Sequence, residues 1–127
     1  MKAITLWRLR PYAIFFLGKD IENRTWEPPK GLIGQRLAIH ADKRFDLEAV
    51  EYLQEMGFEC PESPADHPLG IVGTVTYSGA VRSSKSEWFE GSVGWRLTDP
   101  RTIEIPLELS GKQGLWPIPA ELYAYPI

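Results

Sequence analysis

Hydrophobic and polar residues alternate with period two from Lys2 to Trp7 (KAITLW), and the β-formers among them predict a strand. Pro11 to Leu17 is apolar and opens on proline, which predicts a short buried helix stopped by Gly18. Alternation returns over Asp20 to Trp26 (DIENRTW). A strand there puts Asp20, Glu22, Arg24 and Trp26 on one face and Ile21, Asn23 and Thr25 on the other. Pro28-Pro29-Lys30-Gly31 is a turn. Arg36 to Ala41 is a further strand, with Leu37 and Ile39 opposite Ala38 and His40. Asp46 to Phe58 carries the clearest helical period. Phe45, Ala49, Tyr52, Leu53 and Met56 form its apolar stripe, and Glu48, Glu51 and Glu55 its solvated face. Asp46 is suited to cap this helix and Gly57 to end it.

Three prolines between Glu59 and Pro68 mark an irregular connection. Leu69 to Val81 reads as a long β segment whose Gly70, Gly73 and Gly79 imply bulges or a tight barrel bend. After a polar loop at Ser83 to Glu87, Val93 to Thr98 and Thr102 to Leu109 read as two last strands. The tail from Gly111 reads as a loop with one helical turn. There is no repeat and no low-complexity tract. The pattern predicts a single domain over residues 1–127, of α+β class: a small β-barrel of five or six strands with two or three flanking helices.

Composition narrows the possible chemistry. A chain of 127 residues can bury one core without disulfides or a structural metal. The lone Cys60 cannot form an internal disulfide. The apolar run at Pro11 to Gly18 is too short to span a bilayer and no cleavage site follows it, so the reading is a cytoplasmic protein with no membrane partner. The net charge of −3 conceals an asymmetry: residues 1–44 hold nine Lys and Arg against four Asp and Glu, and residues 45–127 hold five against thirteen. Such a chain offers at most a local basic face, which excludes coating a long duplex. His40, His67 and Cys60 lack metal-ligand spacing, so neither metal nor other cofactor is expected. No G-x-S-x-G elbow, P-loop or G-x-G-x-x-G is present.

What remains is Lys19, Glu22, Arg24 and Trp26. Ammonium, carboxylate, guanidinium and indole together suit a planar, hydrogen-bonding ligand such as a nucleobase. The plainer reading is a surface ion pair between Glu22 and Arg24, worth under ~1 kcal/mol. Trp7, Trp95 and Trp116 read first as core residues.

The segments AITLW (3–7), GKDIENRTW (18–26), LAIHA (37–41), GIVG (70–73) with Val75, GWRLTDPR (94–101) and GKQGLWPIP (111–119) resemble the ASCH domain family, in order and with family-like spacing. Lys19, Glu22 and Arg24 fill the last three places of that family's G-x-K-x-x-E-x-R signature. Its first glycine falls on Leu17, beside Gly18. The resemblance implies a PUA-like fold, a small barrel with a cleft where the signature residues gather. It also implies an RNA or modified-nucleotide ligand. Under it Lys19, Glu22, Arg24, Trp26 and Trp7 are the first ligand-binding candidates, and His40, Lys43, Trp95, Lys112 and Gln113 are carried as further ones.

Three functions follow as expectations. The first is a module binding single-stranded RNA or a modified nucleoside or nucleotide, with a monomer favoured. The second is a small amidohydrolase, because some ASCH-like proteins deacetylate N4-acetylcytidine with a lysine where Lys19 stands. Those proteins carry a threonine where Glu22 stands and use a glutamate from later in the chain. In this version Lys19 and Glu22 are catalytic. A ribonuclease activity, known in the family, is singled out by no residue here. The third expectation is a structural or protein-interaction role.

Overall fold

The computed structural model describes residues 1–119. Its elements are β1 (Lys2–Arg8), α1 (Arg10–Phe16), β2 (Ile21–Arg24), β3 (Arg36–Phe45), α2 (Leu47–Glu55), β4 (Gly70–Val81), β5 (Val93–Leu107) and β6 (Leu115–Pro117). Single 3-10 turns lie at Lys30–Leu32 and Pro64–Asp66. The strands form one mixed sheet in the order β2-β5-β4-β3-β1-β6. The pair β1–β3 is parallel and every other pairing is antiparallel. Its end strands, β2 and β6, are four and three residues long and do not pair with each other, so the sheet is open. The class is α+β, with six strands and two α-helices among the described residues.

Alternation along the central strands fills both faces of the sheet. Ile4, Leu6, Leu37, Ile39, Val75 and Trp95 belong to the larger core. Ala3 and Ala38, one position out of phase, join Ile71, Trp116 and Ile118 in a second cluster. A third cluster joins α1 to α2 through Leu9, Ala13, Val50, Leu53 and Cys60. The irregular segment after α2 is fastened by the buried Arg8. Its guanidinium donates to the carbonyls of Asp42, Lys43, Pro64 and His67.

Four expectations need correction. Val93 to Thr98 and Thr102 to Leu109 read as two strands, yet a single β5 runs from Val93 to Leu107 through Asp99-Pro100. Asp99 takes a φ of +50°, and its carboxylate accepts hydrogen bonds from Arg36 and Arg101, which hold the irregularity inside the strand. The tail forms β6, antiparallel to β1, where the sequence reads as a loop with one helical turn; no helical turn lies in 111–119, and the rest of that expectation lies outside the described residues. On α2 the core-facing line is Val50 and Leu53, while Tyr52 and Met56 stay 61% and 47% exposed. In α1, Phe16 points outward. The cap at Asp46 is as expected, its carboxylate accepting from the Ala49 N–H at 3.0 Å.

Bulges do interrupt β4, with register shifts between Ile71 and Gly73, Thr74 and Thr76, and Tyr77 and Ala80. At Gly73 the reason for glycine is contact. A Cβ there would lie 2.5 Å from the Arg101 carbonyl oxygen and 2.5 Å from Phe15 Cζ, so α1 and β5 both close upon a bare backbone. Gly73→Ala is therefore expected to destabilise the protein by about 2 kcal/mol, read as a lower urea midpoint. An unchanged midpoint would contradict this packing.

Candidate functional site

Between β1, β2 and the segment after β5 lies a cleft of about 660 Å³. Period-two geometry turns Thr5 and Trp7 of β1 into it while Ile4 and Leu6 feed the core. On the other wall, Glu22 and Arg24 share one face of β2, as the alternation predicts. Arg24 Nε donates to Glu22 Oε2 at 3.0 Å. The Arg24 guanidinium lies 5.8 Å from the ring centre of Trp95 and reaches the Thr5 carbonyl at 3.4 Å, so it bridges the two walls. Glu22 is 5% exposed, which distinguishes the pair from an ordinary surface ion pair.

Lys19 enters from the turn between α1 and β2. Gly18, at φ +77°, reverses the chain, and the Lys19 N–H returns to the Ala13 carbonyl at 3.0 Å. The side chain is only 9% exposed. Among the described residues its ammonium has no hydrogen-bond or ion-pair partner, only the face of Trp88, 5.6 Å from the ring centre. Burial pulls Lys19 below the ordinary lysine range. Glu22 opposes that shift, Arg10 reinforces it, and Glu90 and Asp20 oppose it more weakly.

A loop supplies the wall over Lys19. The Asn23 carboxamide donates to the Trp88 carbonyl and accepts from the Glu90 N–H, each at 2.9 Å. Ser86 Oγ donates to Asp20 Oδ1 at 2.6 Å. These bonds clip residues 86–90 to β2, setting Trp88 over the ammonium and Glu90 on the cleft lining.

The cleft brings together Trp7, Lys19, Glu22, Arg24, Lys112 and Gln113 of the sequence candidates. Four others stand elsewhere. Trp26 lies beyond the end of β2, its ring edge-on to Trp95 at 4.9 Å, because the strand stops at Arg24. Trp95 is fully buried core. His40 is buried beneath Gly111, with Nε2 2.7 Å from the Leu109 carbonyl and Nδ1 without a hydrogen-bond partner among the described residues. Lys43 is exposed and lines no part of the cleft.

Sequence reasoning missed Thr5, Arg10, Asn23, Asp42, Arg44 and Glu90. Thr5 was accessible as the same-face neighbour of Trp7; Glu90 and Arg44 come from distant segments and carry no local signal. Arg44 lies 4.8 Å over the Trp7 ring and is ion-paired with Asp42. Arg24 and Arg44 are thus neutralised, whereas Arg10, Lys19 and Lys112 have no ion-pair partner among the described residues. No group of three or more His, Cys, Asp or Glu there is placed to hold a metal ion. No described helix is long and apolar enough to cross a membrane. No family model matches the chain, and no curated protein matches it significantly.

The depressed Lys19 has a consequence for stability. Its folded-state value lies below its unfolded one, so stability is lost as pH falls through the folded-state value and is fully present only above the unfolded value of about 10.4. Lys19→Met removes the buried charge and is expected to be more stable by about 1 kcal/mol at pH 7. That gain should shrink as pH approaches 10. Urea unfolding at both pH values measures it, and a wild type at least as stable at pH 7 would contradict the burial described.

Proposed function

We propose that the cleft binds a nucleobase-bearing ligand, either a segment of single-stranded RNA or a modified nucleoside or nucleotide, in an ASCH-like domain of PUA-like fold. The observation that carries this reading is Lys19: nearly buried and, among the described residues, without a hydrogen-bond or ion-pair partner, yet lining an open cleft. A lysine kept only for stability would be paired or exposed. In this reading Glu22 accepts from base amino groups, Lys19 and Arg24 donate to base or phosphate oxygens, and the half-exposed Trp7 offers its free area for stacking. Arg10 and Lys112, on the lining and without an ion-pair partner among the described residues, suit a phosphate.

A second reading, an amidohydrolase acting on an acylated nucleoside, draws support from the lowered Lys19 and from Glu90. That glutamate, from later in the chain, shares the cleft with Lys19 and Glu22. Lys19 would stabilise an oxyanion while one of the two glutamates activates water.

Calorimetric titration with cytidine 5′-monophosphate and a short unstructured RNA tests the first reading. Lys19→Met and Trp7→Ala should each weaken binding about tenfold or more, the latter because base stacking is worth ~1–3 kcal/mol. Lys43→Ala, off the cleft, should bind as wild type. Undiminished affinity in Lys19→Met would overturn the reading. Release of cytidine from N4-acetylcytidine, lost in that variant, would move the assignment to hydrolysis.

A further inference from the structure

Beside Lys19 lies a second, smaller cavity of about 150 Å³, lined by Ala49, Leu53, Phe58 and Trp88, with Tyr52 of α2 and Met56 at its C-terminal cap. It adjoins the polar cleft, because Arg10, Lys19 and Glu90 line both. Two facts make this more than a surface dimple. Tyr52 and Met56 belong to the apolar stripe of α2 by spacing, yet they remain 61% and 47% exposed along this cavity while Val50 and Leu53 supply the helix's core contacts. Its aromatic wall is also fixed, Trp88 being packed on Phe58 at 5.3 Å and tied through its carbonyl to Asn23. Arg10, Lys19, Glu87 and Glu90 line its half-open mouth together with the apolar side chains, and a space of about this size admits a benzene-sized group.

We infer that cleft and cavity are two lobes of one site, and that its ligand is a nucleobase bearing an apolar substituent of about four to six carbons. The base would lie in the polar cleft, and the hydrocarbon would pass Lys19 to lie against α2. The occupant is thus set by continuity: a group entering from the cleft meets charge first and apolar wall behind it. This rests on the base-binding reading above.

Binding of N4-butylcytidine against cytidine, and of N6-butyladenosine against adenosine, tests it. Each fully buried methylene is worth ~0.8 kcal/mol, or about fourfold; in a half-open cavity the butyl group should tighten binding about tenfold for one base or both. Ala49→Phe fills the cavity and should bring that ratio towards one. Met56→Glu, at an exposed position, should do the same if Ala49→Phe fails to fold. Cytidine or adenosine binding with no butyl gain overturns the inference and leaves the base-binding reading standing. A gain that survives both substitutions also overturns it. No binding by any of the four nucleosides or by the RNA overturns both together. Concentration-dependent self-association abolished by Met56→Glu would show a second copy covering α2, and would equally overturn it.

Discussion

Lys19 is nine-tenths buried and, among the described residues, its ammonium has no hydrogen-bond partner; holding a charge with so little access to water raises the free energy of the folded state, and the fold has to offset that cost. The arrangement around Lys19 reads as the set of conditions that make such a group tolerable. Trp88 presents a ring face to the charge, and Glu22, Glu90 and Asp20 lie close enough to counter its desolvation. None of them forms an ion pair with it. Glu22, the most buried of the three, is already engaged by Arg24. The lysine is left with bonding capacity directed at whatever enters the cleft.

The sheet supplies the rigidity this requires. Within the sheet the short β2 pairs with the first four residues of β5, in a register that sets Glu22 opposite Trp95. Trp95 is fully buried, donates its indole N–H to the Trp26 carbonyl and lies under the Arg24 guanidinium. One core side chain thus fixes both the end of β2 and the angle of Arg24. Across the cleft, β1 is locked between β3 and β6, and Thr5 accepts from the Trp116 indole at 3.0 Å. Both walls rest on buried tryptophans, so the polar groups between them are preorganised.

Much of this was legible in the sequence where the signal is local. Alternation over DIENRTW put Glu22 and Arg24 on one face, and the Asp46 cap and the α2 period marked a helix. The same local rule failed where tertiary contacts decide. Trp26 follows the alternation of β2, but pairing with β5 ends at Arg24 and the chain bends away. His40 alternates with Ile39 and is turned into a second core that only a two-faced sheet provides. The two strands read on either side of Asp99-Pro100 are one, because Arg36, sixty-three residues earlier, holds Asp99 within the strand. The full α2 stripe pointed to a core contact, and the structure splits it between core and cavity. Glu90 and Arg44 reach the site through long-range closure that no spacing encodes.

The chemistry of the cleft turns on one proton of Lys19, and heteronuclear NMR on protein with labelled lysines reads it directly. Lys19 is expected to titrate below the ordinary lysine range in the free protein, and cytidine 5′-monophosphate, bringing acceptors to the ammonium, to move that titration upward. A Lys19 that titrates in the ordinary lysine range and ignores the nucleotide would contradict both its burial and its place in the binding cleft.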